Sequence, residues 1–383
     1  MAASVLRRNG VPLGCALLAV LLCVAAMIPS LRPADWSLTV LPRVAAGTGM
    51  AAAAKARDPG FHIVGSGAYD GQFYWGIAVD PLGRGSVHQV FDRASYRYGH
   101  PLYGWLGWLG SAGHARAAPP ALVAVSLLSM LVAAAAAAVL GIRRGRGGWE
   151  GLFVALNPGL LYSGSHDLTE PLSAALMLSG LAAYLRGRRT AAVVLFALVP
   201  LTKEPLVVVP LAAAGWELWR RRAWSLDAGL YAASLLPSVL WWTYARIHFG
   251  EWFTSGDSAL GAPFVGWKRA LLDAGVYSYV ADPLQNQLGE VTIVVLVALL
   301  GLLTVAGLFA LRLRGPAALV YLPLAILAVC LAPNATVLLR DALRNTSLLV
   351  VLVPFVIASP PLLPMWWARR GGRSSTERPL SRV

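Results

Sequence analysis

Long apolar runs separated by short polar or basic segments form most of the chain. Their lengths predict about ten membrane-spanning helices, and residues 100–113 are an additional apolar, aromatic segment that either lies in the membrane interface or enters the membrane and returns. Several runs are shorter than the roughly 20 residues that a full crossing needs, which favours paired short helices or partial insertions. The predicted spans lie near residues 11–30, 118–141, 150–164, 168–185, 190–202, 204–219, 225–247, 291–311, 316–333 and 345–367.

Arginine-rich clusters mark one side of these predicted spans. When the spans are threaded alternately through the membrane, one side collects Arg7-Arg8, Arg143/Arg144/Arg146, Arg186/Arg188/Arg189, Arg220-Arg221-Arg222, Arg312/Arg314 and Arg369-Arg370. Because Lys and Arg accumulate in cytoplasmic loops, both termini are predicted to be cytoplasmic. Two long outer loops then lie near residues 31–99 and 248–290, and most acidic residues lie on the outer side.

The domain organisation follows from this threading. We expect one transmembrane domain over residues 1–368 and a disordered, basic cytoplasmic tail over residues 369–383. Residues 1–30 also have the basic start and apolar core of a signal peptide, although no clear small-x-small cleavage site follows that core. The predicted fold class is all-α, a polytopic helical bundle in the membrane.

Composition supports a membrane protein and excludes other classes. Of the 383 residues, 57% are hydrophobic and 13% are charged, which argues against a soluble fold. The net charge of +14 does not indicate a nucleic-acid partner, because the basic residues form short clusters between apolar runs. The three cysteines lie in apolar segments without the spacing of a metal site or a disulfide framework. The many Ala, Arg and Gly residues favour a bacterial source, and hence a plasma-membrane location.

Asp70 is the most conspicuous candidate for chemistry. It lies in the stretch from Gly67 to Pro81, among aromatic and small residues that follow the first apolar segment. Asp is a preferred helix N-cap, so Asp70 is a possible cap for an interfacial helix over residues 71–79. Asp is also a common general base in sugar chemistry. Both interpretations stay open at this stage, since a cap can also be a base.

A second polar group stands at the predicted start of the helix over residues 168–185. His166, Asp167 and Glu170 have the spacing that places Glu170 on one helix face with each of the other two. One interpretation is a capping box, with Asp167 as N-cap and Glu170 reaching back to it. The other is a functional role, since an ionisable side chain close to hydrocarbon is expensive.

Lys203, Glu204 and Pro205 interrupt the apolar run from residue 190 to residue 219. Pro205 fits the first turn of a following helix, so a break between two half-length helices is expected here. Charged groups in a membrane cost on the order of 2.5–3.5 kcal/mol each unless partners or water receive them. Lys203 is therefore predicted either to pair with a carboxylate between helices or to bind a phosphate.

The last predicted helix begins with a pair of arginines. Arg340 and Arg344 share a face at i, i+4 and could hold a phosphate through charge-assisted hydrogen bonds. Snorkelling to the interface is the alternative. Arg93, Arg97 and His100 add further cations on the outer side, and solvation alone would explain them.

These residues resemble the motifs of a known superfamily. Tyr69-Asp70-Gly71-Gln72-Phe73-Tyr74, then Ile77-Ala78, Pro101 and Tyr103, resemble the "WDGxWYxxIAxxGY … FFPLYP" pattern of polytopic glycosyltransferases of the GT-C superfamily. Within this superfamily they resemble especially the glycosylphosphatidylinositol mannosyltransferase II-like branch. Further similar motifs are Asn157-Pro158, Thr169-Glu170-Pro171-Leu172, Leu201-Thr202-Lys203-Glu204, Arg246-x-x-Phe249-Gly250 and Pro263-Phe264-x-Gly266. The chain departs from the pattern at Tyr69, where Trp is usual, and at Lys203-Glu204, where Thr-Arg is commoner.

The resemblance implies an inverting enzyme of the exoplasmic face. It would transfer a mannose-like sugar from a polyprenyl-phosphate donor, used as co-substrate without a cofactor, to a glycan or glycolipid acceptor of the cell envelope. Asp70 would act as the general base. The sequence contains no Asp-x-Asp pair, so a divalent metal held by such a pair is not indicated. The residues expected to bind substrate are Tyr69, Gln72, Tyr74, His100, His166, Glu170, Lys203, Glu204, Arg340 and Arg344.

Two other functions are compatible with a polytopic chain of this kind. A transporter or flippase of lipid-linked sugars would also have charged residues at interrupted helices. The long first outer loop and the lack of two evidently matching halves argue against transport. A non-catalytic scaffold subunit of a cell-envelope assembly is the third possibility.

Overall fold

Every regular element in the described part of the chain is helical. The computed structural model describes residues 2–255, 259–272, 289–312 and 315–357, with side chains excepted at residues 2–9, 289 and 290. The α-helices are α1 (Ala2–Leu31), α2 (Gly49–Arg57), α3 (Gly71–Val79), α4 (Ala94–Arg97), α5 (Leu102–Ser111), α6 (Ala118–Arg143), α7 (Leu152–Ala155), α8 (Pro158–Gly164), α9 (Glu170–Leu185), α10 (Arg189–Leu198), α11 (Val208–Arg221), α12 (Leu226–Ala233), α13 (Leu236–Phe249), α14 (Val265–Leu272), α15 (Gly289–Ala310), α16 (Pro316–Val329) and α17 (Leu339–Ile357). Short 3₁₀ turns cover Arg32–Ala34, Leu38–Val40, His88–Val90, Trp149–Gly151, Glu204–Val207 and Pro333–Ala335.

Among the described helices, three are long and apolar enough to cross a membrane. These segments are Gly10–Ala34, Ala118–Arg143 and Val291–Ala310. Shorter apolar helices of 10–17 residues are α9, α10 and α16. An integral membrane protein is therefore supported, whereas the number of about ten spans stays a prediction.

Helix α6 occupies the middle of the helical body and packs against α1, α5 and α9. Its buried face is rich in alanine, including Ala133, Ala134 and Ala137, each with no exposed surface. Small side chains let helix backbones approach closely where the bilayer gives no hydrophobic driving force for association. The alanine-rich run of α6 thus explains how one helix can contact three neighbours.

Several predicted spans are interrupted where the sequence carries a helix breaker. The prediction of one helix over 150–164 is wrong, because α7 ends at Ala155 and α8 begins at Pro158. The Asn157 side chain caps α8, since its Oδ1 accepts from the Leu160 N–H at 3.1 Å. The segment 225–247 is likewise divided into α12 and α13. The predicted break at Lys203-Glu204-Pro205 is confirmed, since a 3₁₀ turn begins at Glu204 between α10 and α11.

Some predictions lie outside the described residues. They are the end of the last predicted span beyond residue 357, the cytoplasmic tail over 369–383, Arg314, and much of the second outer loop. The last helix begins at Leu339, earlier than the predicted residue 345.

The first outer loop folds as a compact layer whose aromatic core it shares with α5, α6 and α9. Its buried rings include Trp75 of α3, Phe61 after the end of α2 and Tyr98 directly after α4, each with no exposed surface. The backbone is also tied by a parallel bridge between Ala45 and Val64. Helix α3 packs against α5 and α6, so the loop is fixed on the helical body.

Gly71 explains why a glycine follows Asp70. A Cβ at this position would collide with the backbone carbonyl of His166 and lie 3.1 Å from the Pro42 backbone. We expect Gly71→Ala to destabilise the fold by about 1–3 kcal/mol, as other overpacking substitutions do. The measurement is thermal unfolding of the purified protein in detergent, with Gly145→Ala as a control where no atom lies within 4 Å of the new Cβ and only the positive φ opposes the change.

If Gly71→Ala unfolds at the wild-type temperature while Gly145→Ala does not, the close approach of Gly71 to His166 is not a constraint on this fold.

Candidate active site

A cavity of about 740 Å³ lies between the first outer loop, the turn before α11, and helices α16 and α17. Its lining combines charged and polar side chains with aliphatic ones. Along α17 the lining changes from Asp341, Arg344 and Asn345 to Leu348 and Leu349. The polar members are Tyr69, Asp70, Tyr74, Asp92, Arg93, Tyr96, Arg97, His100, Glu170, Lys203, Glu204, Asn334, Asp341, Arg344 and Asn345, and the apolar members are Pro205, Leu206, Ala259, Leu260, Leu324, Leu327, Ala328, Leu331, Ala335, Leu348 and Leu349.

Asp70 lies half-buried at the wall of this cavity, with each carboxylate oxygen bound to a different arginine. Arg97 donates to Oδ1 at 3.0 Å, and Arg344 donates to Oδ2 at 2.8 Å. Asp70 is the residue before α3, but its side chain makes no capping hydrogen bond. The interpretation of the side chain as a helix cap is therefore wrong.

The two arginines control the protonation of Asp70. Burial alone would raise its pKa, but the positive charges of Arg344 and Arg97 outweigh burial and lower the pKa to about 2. The carboxylate is thus ionised at neutral pH, and it is a weak base while both arginines bind it.

Arg344 binds several side chains of the cavity wall, and we call this group of side chains the charged cluster. Beyond its bond to Asp70, its Nε donates to the Glu170 Oε1 at 2.8 Å and its Nη1 donates to the Tyr69 hydroxyl at 2.9 Å. The hydroxyl of Tyr69 in turn donates to Asp341. A guanidinium can hold several acceptors at once because its five N–H groups point in fixed directions.

Lys203 joins the same cluster from the break between α10 and α11. Its ammonium donates to Glu170 at 3.0 Å and to the Asn345 side chain at 3.4 Å. Glu170, with 1% of its side chain exposed, therefore lies between Lys203 and Arg344. The predicted pairing of Lys203 with a carboxylate is present, and the same side chain lines the cavity.

Glu170 does not belong to a capping box. The N-cap of α9 is Thr169, and Asp167 has a left-handed backbone with φ of 53°. Because His166 and Asp167 precede the helix, they do not share a helix face with Glu170, and that prediction is wrong. Asp167 instead accepts from Tyr103 at 3.3 Å, with its carboxylate fully buried.

His100 and Glu204 form a separate pair on the cavity wall. The His100 Nδ1 lies 2.6 Å from the Glu204 Oε1, and the imidazole contacts the rings of Tyr74 and Tyr96 edge-on. Gly99 permits this approach, since a Cβ there would collide with Glu204. The pair brings residues 104 positions apart into one part of the site.

Three predicted substrate-binding residues are not part of the lining that the described residues form. Gln72 is buried within α3, with 7% exposure. His166 stacks on Tyr162 with a ring separation of 4.1 Å, and its Nδ1 lies 2.9 Å from the Tyr162 carbonyl. The guanidinium of Arg340 lies over the ring of Tyr69, 5.2 Å from the ring centre. The remaining predicted residues, Tyr69, Asp70, Tyr74, His100, Glu170, Lys203, Glu204 and Arg344, all line it.

Sequence reasoning missed three members of the cluster. Solvation alone would explain Arg97 in the sequence, but its side chain binds Asp70 and Asp92 and lies 3.8 Å over the ring of Phe73. Asp341 and Asn345 were not among the candidates. Asn345 lies one residue after Arg344, and Asp341 lies three residues before it. The i, i+3 spacing on α17 is the signal that could have indicated Asp341.

The described side chains contain no group of three or more His, Cys, Asp or Glu residues that could hold a metal ion. The charges of the cluster are balanced by arginine and lysine instead.

Comparisons with known proteins do not identify a family for this chain. No protein-family model matches the chain, and no curated protein matches it. A solved structure, ArnT from Cupriavidus metallidurans in the apo state, has 20% identity and a TM-score of 0.42, over 79% of this chain. The chain spans 57% of the length of that structure. This similarity is too low to assign a family or an activity, so the function of the cavity rests on its own residues.

Proposed function

We propose that the protein is a membrane glycosyltransferase. It transfers a sugar, mannose-like by the resemblance of its motifs, from a polyprenyl-phosphate donor to a hydroxyl of a cell-envelope glycan or glycolipid on the exoplasmic face. The observation that carries this proposal is one cavity that combines a carboxylate, several cations and a leucine-rich wall. A lipid-linked sugar phosphate has three matching parts: a sugar that would react beside the carboxylate, a phosphate for the cations and a lipid for the leucine-rich wall.

The cations and leucines fit the two ends of the donor. Arg344 and Lys203 meet at Glu170 and could hold a phosphate through charge-assisted hydrogen bonds. Leu348 and Leu349 follow on the next turn of α17 and face the same cavity as Leu324 and Leu327 of α16. These aliphatic side chains would bury the first prenyl units beside the phosphate.

Asp70 is the proposed general base of an inverting displacement. It takes the proton of the acceptor hydroxyl while that oxygen bonds to the anomeric carbon. The bond between the anomeric carbon and the phosphate oxygen breaks, and the electron pair leaves with the phosphate. Arg344 and Lys203 stabilise the negative charge that develops on this leaving group.

Donor binding would also change the strength of the base. Arg97 and Arg344 bind both oxygens of Asp70. A donor phosphate would compete for Arg344 and release Oδ2 for the acceptor hydroxyl. The proposed order is therefore donor first and acceptor second.

Arg97 should set the acid limit of activity. Burial raises the pKa of Asp70, and Arg344 and Arg97 together lower it to about 2, so the free enzyme keeps its carboxylate ionised down to about that pH. In Arg97→Gln one lowering charge is lost, so the pKa of Asp70 rises and the acid limb of kcat/KM moves to higher pH. The measurement is the pH profile of kcat/KM for both proteins.

An acid limb at the same pH in Arg97→Gln and in the wild type would contradict the assignment of Asp70 as the base. Arg57→Gln is a control arginine on the same loop, where it bonds to Ser86 rather than to Asp70.

The activity can be tested with purified protein in detergent. Polyprenyl-phosphate mannose and a manno-oligosaccharide acceptor should give released polyprenyl phosphate and a lengthened oligosaccharide. An enzyme shows this in free solution, whereas a transporter needs a sealed vesicle. Sugar movement in vesicles without release of polyprenyl phosphate in detergent would establish transport instead.

A further inference from the structure

A second cavity lies beside the candidate active site, and we call it the polar cleft. It has a volume of about 680 Å³ and lies between the first outer loop and the end of α13. Asp92 and Arg93 line both cavities. The two spaces therefore share a wall, and a ligand in the cleft would lie next to the charged cluster around Asp70.

The walls of the polar cleft are held in place by specific contacts. The His248 Nε2 donates to the Gly83 carbonyl at 2.6 Å, and the Tyr244 hydroxyl donates to the Leu82 carbonyl at 2.9 Å. Gly83 has a φ of +63° and lies against the ring of Phe249, where a side chain would collide with it. The end of α13 is thus fixed on the first outer loop.

The lining of the polar cleft fits hydroxyl groups. Gln89, His248 and Glu251 are exposed and offer both hydrogen-bond donors and acceptors. Asp92 and Arg93 add one charge of each sign, so the cleft has no excess of positive charge that would favour an anion. Its volume lies within the range of about 300–1,000 Å³ that is usual for ligand sites.

In the proposed function the donor lipid occupies the leucine-rich side of the active cavity, so a polar co-substrate needs another approach. We propose that the polar cleft is the acceptor subsite and that it takes a neutral, hydroxyl-rich glycan chain, whose terminal sugar reaches Asp70 past Asp92 and Arg93. This inference rests on the proposed function and adds the class of acceptor. It favours a water-exposed glycan over an acceptor held mainly by its lipid.

The cleft is also connected to the base through one side chain. Arg97 donates to both oxygens of Asp92, at 2.9 and 2.7 Å, and to Asp70 at 3.0 Å. Acceptor hydroxyls that bind Asp92 would compete for the guanidinium that also holds Asp70. Acceptor binding would then help to release the second oxygen of the base.

The test measures glycan binding directly, so that it does not depend on turnover. A neutral manno-oligosaccharide is titrated into the full-length protein in detergent by calorimetry, with polyprenyl phosphate present. We expect Glu251→Ala combined with Gln89→Ala to weaken binding by at least about tenfold, since each change removes the polar group of an exposed side chain. Asp35→Asn, an exposed carboxylate on the same outer loop, is the control and should bind as the wild type does.

Three results would overturn the cleft as the acceptor subsite. They are undetectable glycan binding by the wild type, equal binding by the double variant, and tighter binding of an oligosaccharide of uronic acids than of the neutral one. The proposed function is judged separately by release of polyprenyl phosphate. If the double variant still transfers sugar with an unchanged acceptor KM, the glycosyltransferase function stands and only the acceptor role of the cleft is contradicted.

Discussion

Asp70→Asn is expected to lower kcat for sugar transfer by about 10²–10⁴-fold, the usual contribution of a positioned general base. The amide has nearly the same shape as the carboxylate and can still accept a hydrogen bond, but it cannot take a proton from the acceptor hydroxyl at neutral pH. The measurement is the rate of polyprenyl phosphate release with saturating donor and acceptor.

The control for this change is Asp35→Asn, which removes an exposed carboxylate of the same outer loop and should keep wild-type turnover. Because Asn removes the charge that Arg97 and Arg344 bind, Asp70→Asn should also unfold at a lower temperature than the wild type, so turnover is measured well below the unfolding temperature of the variant. Normal turnover in Asp70→Asn would remove the residue from the mechanism.

Arg344→Gln is expected to damage both stability and activity. Breaking a buried ion pair by removing one partner costs about 3–5 kcal/mol, because the other charge stays buried. Glu170, with 1% of its side chain exposed, would keep only Lys203 as a charged partner. Loss of one group that stabilises a leaving phosphate should lower kcat by a further factor on the order of 10²–10³.

A second substitution separates these two effects. In the double variant Glu170→Gln with Arg344→Gln, the buried carboxylate of Glu170 is removed together with its guanidinium partner, so part of the lost stability should return while transfer stays low. Arg340→Gln is the matched control, because this arginine lies one turn earlier on α17 and does not line the cavity that the described residues form. Full activity in the double variant would exclude Arg344 from phosphate binding.

The sequence allowed most of the charged cluster to be predicted because buried charge is costly. Glu170, Lys203 and Arg344 stand in apolar surroundings where an unpaired ion would be unfavourable, and the structure brings all three together. Asp70 was found through its glycine and aromatic neighbours. The contact of Gly71 with His166 now gives a physical reason for the glycine.

Local patterns failed where a long-range contact determines the conformation. The spacing of Asp167 and Glu170 fits a capping box, but the carboxylate of Asp167 turns to Tyr103 and that of Glu170 to Lys203 and Arg344. Arg97 resembled a solvated arginine because its partner in the cavity, Asp70, lies 27 positions earlier in the chain. Pairings across such sequence separations depend on the tertiary fold, which periodicity does not encode.

The helix breaks show the same limit for secondary structure. An apolar run indicates burial but not continuity, so the run over 150–164 gave no warning of two short helices apart from Asn157-Pro158. The dipeptide is a strong capping signal, and it outweighed the hydrophobic pattern.

The two hydrogen bonds of Asp70 connect two parts of the protein that lie in different environments. Arg97 belongs to the outer layer with its aromatic core, whereas Arg344 belongs to α17, which the hydrophobic pattern predicts to enter the membrane over residues 345–367. A bilayer of altered thickness would shift α17 while leaving the outer layer intact. Catalytic alignment would thus depend on lipid composition, with the aspartate–Arg344 contact as the first to change.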